Sequence, residues 1–247
     1  MRTVICHFYN EEYLLPFWLN HHKHMFDKGI MINYHSTDRS VDIIKEICPD
    51  WDIIDTRNEC FDAHKVDLEI ELIEKTITSW RVVLNVTEFL IGDLDKNCND
   101  SDLSCRFIPS ALMICPEEKE GVYPDSYKLL CEQFTYGVYT DNEIAIKERR
   151  MRRMSSYSYP YNLGRHYTDA QNSELVILWY RNSPYNSEMI KRNLQIQQRI
   201  PQSDKIMGFG IQHITNEEGL KRDLERLRLH SSDIFDKYKH LIVSSRS

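Results

Sequence analysis

Residues 84–91 read LNVTEFLI. The stretch carries Asn-x-Thr, the acceptor pattern for N-glycosylation, which would put it in a surface loop of a secreted protein. Its Asn85, Thr87 and Glu88 can equally be a polar knot at the end of a buried strand. Other polar groups are placed in a similar way. Asn10, Glu11 and Glu12 follow an apolar run, Ser36, Thr37 and Asp38 follow another, and Lys65 opens a helical pattern. Carboxylates and amides at strand ends can hold a base and a ribose. A divalent cation, or a cluster of Arg, Lys, His and backbone N–H groups, can stabilise a diphosphate. Each group also has a plain structural reading: Asp38 as a helix cap, Lys65 as a solvated charge, Glu11 and Glu12 as acids favoured at a helix N-terminus.

The pattern along the first ninety residues supplies elements that would position these groups. Residues 3–9 (TVICHFY), 29–36, 52–57 and 81–86 are β-rich runs. Between them lie helical patterns. The first has Leu14, Leu15, Trp18, Leu19 and Met25 close to helical spacing. The second has Thr37 or Asp38 as N-cap and stops at Pro49. The third runs from Asp62 to Trp80, about five turns. Alternation of this kind predicts a three-layer α/β fold with a mainly parallel central sheet. Ligands of such sheets sit beyond the carboxyl ends of the strands, at a switch point in strand order. That rule selects residues 7–12, 34–38, 56–65 and 85–88.

The second half is less regular. Residues 93–104 read as a polar loop, 106–116 as holding a strand, 173–182 as a buried strand, and 183–200 as a helix bounded by Pro184 and Pro201. GFGIQH at 208–213 reads as a glycine-containing turn, and the rest as an amphipathic helical segment. One domain is expected, with a nucleotide-binding half at 1–92, an acceptor and catalytic half at 93–215 and a helical segment at 216–247.

Bulk properties narrow the class. Of 247 residues, 41% are hydrophobic and 28% charged, an ordinary globular balance. The net charge of −7 weighs against nucleic acid as a partner. Seven cysteines without a Cys-x-x-Cys pair fit neither a zinc knuckle nor a disulfide framework. The opening residues lack the apolar region of a signal peptide. The longest apolar runs fall far short of the ~20 residues of a membrane helix. A cytoplasmic protein without a transmembrane segment is expected, in which Asn85 never meets the glycosylation machinery.

FYNEEYLLPFWLNHH followed by INYHSTDRSVDIIKEI resembles the opening of glycosyltransferases with the GT-A fold, particularly family 2. The likeness covers residues 3–91 and extends more weakly through 162–166, 183–201 and 208–213; the chain is also similar to short glycosyltransferases of large algal viruses. The resemblance implies transfer of a sugar from a nucleotide-sugar donor, a UDP-sugar, to a hydroxyl of a glycan or glycoconjugate acceptor, by an inverting displacement. It implies a nucleotide-sugar site at Phe8, Tyr9, Asn10, Glu11, Glu12, Ser36, Thr37, Asp38, Lys65, Asn85, Arg165, His166 and Arg192, with uracil held by Asp38 and the first-strand residues. In such enzymes the fourth strand usually ends in Asp-x-Asp, whose carboxylates bind a divalent metal. Here Asn85 and Thr87 stand in the two acidic positions, and Glu88-Phe89 match the Glu-Phe that follows. An amide or hydroxyl is a weak ligand for a hard cation. Two readings stay open. Glu88 with a late histidine, His213, could bind Mn²⁺ or Mg²⁺; or the site works without metal, with Lys65, Arg165, His166, Lys191 and Arg192 sharing the diphosphate charge.

The acceptor hydroxyl must lose a proton, and inverting transferases use a carboxylate for this. Asp125, Asp141 and Glu143 lie in the middle section where the resemblance puts that group; Asp141 is the choice, with Glu88 as a second catalytic acid. The basic run Lys147, Arg149, Arg150, Arg152 and Arg153 reads first as a solvated helix face, then as a site for a phosphate-bearing or membrane-bound acceptor. Tyr157, Tyr159, Tyr161 and Tyr167 could stack on sugars or pack in the core. His21, His22 and His24 have no strand-end acid placed to complete a metal site. The rival to an enzyme is a binding module that holds nucleotide sugar without turnover.

Overall fold

The computed structural model describes residues 1–98, 105–138, 152–156, 174–210 and 213–244. Its first part follows the expected alternation. Strands β1 (Arg2–Phe8), β2 (Lys28–Asn33), β3 (Asp52–Asp55) and β4 (Trp80–Val83) are separated by helices α1 (Leu15–His22), α2 (Ser40–Ile47) and α3 (Ala63–Glu74). The strands lie in the order β3-β2-β1-β4 and all pair in parallel. The switch in strand order falls at β1.

Side-chain alternation explains the layers. Val4, Cys6 and Phe8 of β1 join Trp18, Leu19 and Ile44 in the larger core cluster. Ile5, one residue out of phase, joins Ile30, Ile32, Val66 and Ile70 beneath α3. A strand presents successive residues to opposite faces, so one sheet buries both. Gly29 in β2 answers a close approach: a Cβ there would lie 2.0 Å from the Trp51 ring. Helix α3 stops well short of Trp80, because the β-branched run Thr76-Ile77-Thr78 follows it.

The remaining elements are β5 (Glu88–Ile91), α4 (Leu94–Asn97), β6 (Cys105–Ile108), β7 (Ser110–Met113), α5 (Leu130–Gln133), β8 (Tyr136–Val138), β9 (Arg152–Ser155), β10 (Val176–Trp179), α6 (Ser187–Gln195), α7 (Gln202–Met207), α8 (Glu217–Arg228), β11 (Ser232–Asp233) and α9 (Phe235–Ser244). β9 and then β6 extend the first sheet beyond β4, antiparallel. A second sheet, not foreseen from the sequence, has the order β11-β8-β7-β10-β5, with β7 and β10 its parallel pair. The expected mixed α/β fold with a parallel-dominated central sheet is the observed one.

LNVTEFLI is the junction between the sheets. Leu84 still donates to the Ile5 carbonyl at 3.0 Å, after which residues 85–88 turn and Glu88 begins β5. β5 lies at the edge of its sheet, and α1 covers that edge with side chains. Trp18 Nε1 donates to the Glu88 carbonyl at 2.9 Å, and His21 Nε2 meets the Leu90 carbonyl at 2.6 Å. The Leu90 N–H donates to His22 Nε2 at 3.1 Å. The histidines of the first helix thus satisfy backbone groups that an edge strand leaves open.

The basic run departs from its expectation where it is described. Arg152 and Arg153 belong to strand β9, not a solvated helix face, and both are buried. Adjacent in a strand, they point to opposite sides: Arg152 pairs with Glu88 and Arg153 with Glu74 of α3. The seven cysteines form no disulfide among the described residues. Among the described residues, no helix is long and apolar enough to cross a membrane.

Candidate functional site

A cavity of about 390 Å³ opens at the carboxyl ends of β1 and β4. Strand β1 supplies His7 and Phe8, Tyr9 follows it, and the sheet junction supplies Asn85, Val86 and Thr87. Helix α3 and the loop before it contribute Phe61, Ala63, Val66 and Asp67. The far wall comes from Trp179 of β10 and Arg181 beyond it, Arg192 and Asn193 of α6, and Asp204, Gly208, Phe209, Gly210 and His213. The volume lies within the range of small-molecule sites.

One side of the wall is aromatic. Phe61 stacks on Tyr34 with centroids 4.6 Å apart and planes 12° apart. His7 and Tyr9 each approach Phe61 at 6.1 Å. The Arg199 guanidinium lies 4.8 Å from the Tyr9 ring centroid and donates to the Tyr34 carbonyl at 3.3 Å. Glu69 holds the Tyr34 hydroxyl at 2.8 Å and also accepts from Thr56 and Asn58. Burial, the larger cause, and Glu69 together push the Tyr34 phenol well above its ordinary range, so it stays neutral.

The polar side of the wall is built from buried ion pairs. Arg192 donates from Nε and Nη2 to the two oxygens of Glu11 at 2.6 and 2.7 Å. Burial raises the Glu11 carboxyl above its ordinary value, and Arg192 offsets part of that rise. Arg152 donates from Nε and Nη2 to Glu88 at 2.8–3.1 Å. The Asn85 N–H also donates to Glu88, at 2.9 Å. Arg181 lies 3.4 Å from Asp223 and over the Trp179 ring at 5.9 Å.

The residues singled out in the sequence divide in two. Phe8, Tyr9, Glu11, Asn85, Arg192 and His213 stand in the cavity wall. Asn10, Glu12, Ser36, Thr37 and Asp38 instead tie the loop after β1 to the loop after β2. Asn10 adopts a φ of 49°, which asparagine tolerates. Its N–H donates to Ser36 Oγ at 3.1 Å, and Thr37 donates back to its Oδ1 at 2.7 Å. Asp38 accepts from the Glu12 and Ser40 N–H groups, both at 2.9 Å. Its carboxylate braces two loops and is not part of the cavity lining. Lys65 projects from the first turn of α3, mostly exposed, 3.8 Å from Asp62. Glu88, expected as a metal ligand and catalytic acid, has both oxygens engaged by Arg152 and is fully buried. Asp141, Glu143, Arg165, His166 and the four tyrosines lie outside the described residues.

The donors described at the strand ends do not fit a divalent cation. Asn85 and Thr87 are neutral, and Glu88 and Glu11 each face a guanidinium. Among the described residues, no group of three or more His, Cys, Asp or Glu side chains could hold a metal.

No protein-family model matches the chain, and no curated protein matches it in sequence. Among solved structures it is similar to residues 1–349 of S. aureus TarS in complex with UDP-GlcNAc. The identity is 12% and the TM-score 0.35, over 50% of this chain and 37% of that one. A second structure of S. aureus TarS matches at 12% identity and a TM-score of 0.32, over 49% and 23%. HddC from Yersinia pseudotuberculosis matches at 13% and 0.31, over 48% and 66%. The chain spans well under half the length of the TarS chains it matches.

Sequence reasoning missed Phe61, Asp67, Arg152, Trp179, Arg181 and Asp204, all in the wall. Phe61 had a local signal, since it lies in the selected stretch 56–65. Arg152 was hidden in a run of like charges that reads as surface. Asp204 accepts from the Ala63 N–H at 2.8 Å across 141 residues of sequence, a contact no local pattern announces.

Proposed function

We propose that this chain is a GT-A-type glycosyltransferase that moves a sugar from a UDP-sugar to a glycan hydroxyl by an inverting displacement. The observation that carries the reading is one cavity at the sheet switch point that combines an aromatic wall, at Tyr9 and Phe61, with three arginines, Arg152, Arg181 and Arg192. An aromatic wall suits a flat base, and guanidinium groups suit a diphosphate. In the transfer, the acceptor oxygen bonds to the anomeric carbon as the bond to the diphosphate oxygen breaks. UDP leaves with that electron pair, and the acceptor proton passes to a carboxylate, for which Asp141 is the proposed residue. Binding energy on the nucleotide positions the anomeric carbon, and fixed positive charge stabilises the departing diphosphate.

A thermal-shift panel of nucleotide sugars, followed by an assay of UDP release, tests this. Stabilisation by UDP-sugars with slow UDP release is the expected result. No shift with any nucleotide sugar would remove the reading. The neutral Asn85 and Thr87 also favour a second reading, a module that binds nucleotide sugar without turnover. Tight binding with no UDP release, even with acceptor glycans added, would select it.

A further inference from the structure

We propose that Tyr123 and Tyr127, on the loop before α5, form a platform outside the cavity that binds a neutral glycan chain. The inference deepens the glycosyltransferase reading above, on which it rests for the identity of that chain as an acceptor. Tyr127 is 97% exposed, Tyr123 55% and Val122 44%. The loop that carries them is nevertheless braced along its length. Gln133 of α5 accepts from the Asp125 N–H at 2.7 Å and donates to the Asp125 and Lys128 carbonyls at 3.0 and 3.1 Å. The Asp125 side chain accepts from the Tyr127 N–H at 2.9 Å. At the other end, the Gly121 N–H donates to the Tyr185 carbonyl at 2.8 Å, and Asn186 donates to the Val122 carbonyl at 3.0 Å. The Tyr123 hydroxyl shares a 2.6 Å hydrogen bond with Ser187 Oγ, which fixes the tip of the side chain while over half of its surface stays open.

Size and charge select the occupant. Aromatic areas of about 150–250 Å² put the exposed patch at roughly 400 Å², well below the ~800 Å² that each partner of a stable protein interface buries. Glu117, Glu118, Asp125 and Glu188 stand in or beside the loop against Lys119, Lys128 and Lys191. These charges carry no positive excess to draw an anionic lipid surface or a nucleic acid. A neutral sugar fits what remains. Its apolar C–H face packs on a tyrosine ring, its hydroxyls bond to phenols and carboxylates, and rings already held in place lose little entropy on binding. The platform also adjoins the cavity. Asn186 and Ser187 hold the loop at the start of α6, and Arg192 and Asn193 of that helix line the cavity, about 8 Å further along its axis. Asn186 donates as well to the Tyr13 hydroxyl at 2.7 Å, just beyond Glu11 of the same wall.

The test applies the full chain to an array of neutral glycans, then measures the strongest binder by calorimetry. Tyr127→Ala removes only a solvent-exposed ring, so the variant should fold as wild type does, checked by circular dichroism. It should bind that glycan about fivefold more weakly or worse, whereas Tyr127→Trp, which keeps an aromatic face, should stay within about twofold. UDP affinity should be the same in all three proteins. Wild type that binds no neutral glycan would overturn the proposal, as would equal glycan affinity in Tyr127→Ala. A wild-type dimer that Tyr127→Ala dissolves in sedimentation would give the patch to a second copy and overturn it too, and so would anionic vesicles that bind wild type but not the variant. Tyr127-dependent glycan binding without any nucleotide-sugar binding would keep the platform and remove the transferase reading. UDP-sugar binding and turnover indifferent to Tyr127 would do the reverse.

Discussion

The loops after β1 and β2 and the region of the cavity wall use the same kinds of side chain in different ways. In the loops, Asn10, Ser36, Thr37 and Asp38 bond to neighbouring backbone N–H groups and hydroxyls, half-exposed to water. In the cavity wall and just behind it, Glu11 and Glu88 are buried against arginines 181 and 64 residues away. The loop network sets backbone shape, and water can replace much of what it loses. The buried pairs set charge, and no solvent stands ready to replace a missing partner. Polar residues at the sheet edge are therefore a poor guide to which of them line the cavity.

The sharpest way to break this distinction is to remove the carboxylate that pairs with a buried arginine away from the cavity. Glu74→Ala leaves Arg153 without its 3.0 Å carboxylate partner in a buried setting. It should lower unfolding free energy by about 3–5 kcal/mol in urea titration. A loss near the loop values would erase the difference between the two regions.

The neutral buried histidine offers a second measurement. The bonds of His22 assign its proton to Nδ1, which donates to the Trp18 carbonyl, while Nε2 accepts from Leu90. Burial, reinforced by neighbouring His21, lowers its pKa well below 6.5. The unfolded chain then binds the proton more readily than the folded one, so stability is full above pH 6.5 and declines as pH falls below it. The slope contributed by this group should approach about 1.4 kcal/mol per pH unit. His22→Gln should flatten the profile between pH 6.5 and 5, and an unchanged slope would refute the assignment.

A smaller effect is expected in the loop network. Asp38→Ala removes the acceptor of two half-exposed N–H groups and should cost about 1–2 kcal/mol. Under the proposed function, UDP affinity should change by less than about threefold. A much larger loss of affinity would return Asp38 to the nucleotide site and blur the division drawn here. The smallest effect belongs to a partly exposed acid. Glu120 meets Lys221 and Arg228 at 2.5 Å, and the hydrogen bond from Lys221, then that from Arg228, lowers its pKa below 4.5. Its contribution is full above pH 4.5 and lost as pH falls through the lowered value. Glu120→Gln should change stability by under about 1 kcal/mol, less in high salt.

The sequence by itself determined the α/β alternation through β4, because strand and helix periodicities and their caps are local. Of the four stretches it selected at the sheet edge, 7–12, 56–65 and 85–88 each contribute some residues to the cavity wall, and 34–38 contributes none. Tertiary structure decided the rest. It placed Glu88 and Arg152 together, made the 84–91 stretch a junction between two sheets, and turned two arginines of an apparent surface run into buried charges. The physical reason is that an isolated charge reads as solvated in any local window. Only a partner brought from elsewhere in the chain makes its burial affordable, and chain folding alone supplies that partner.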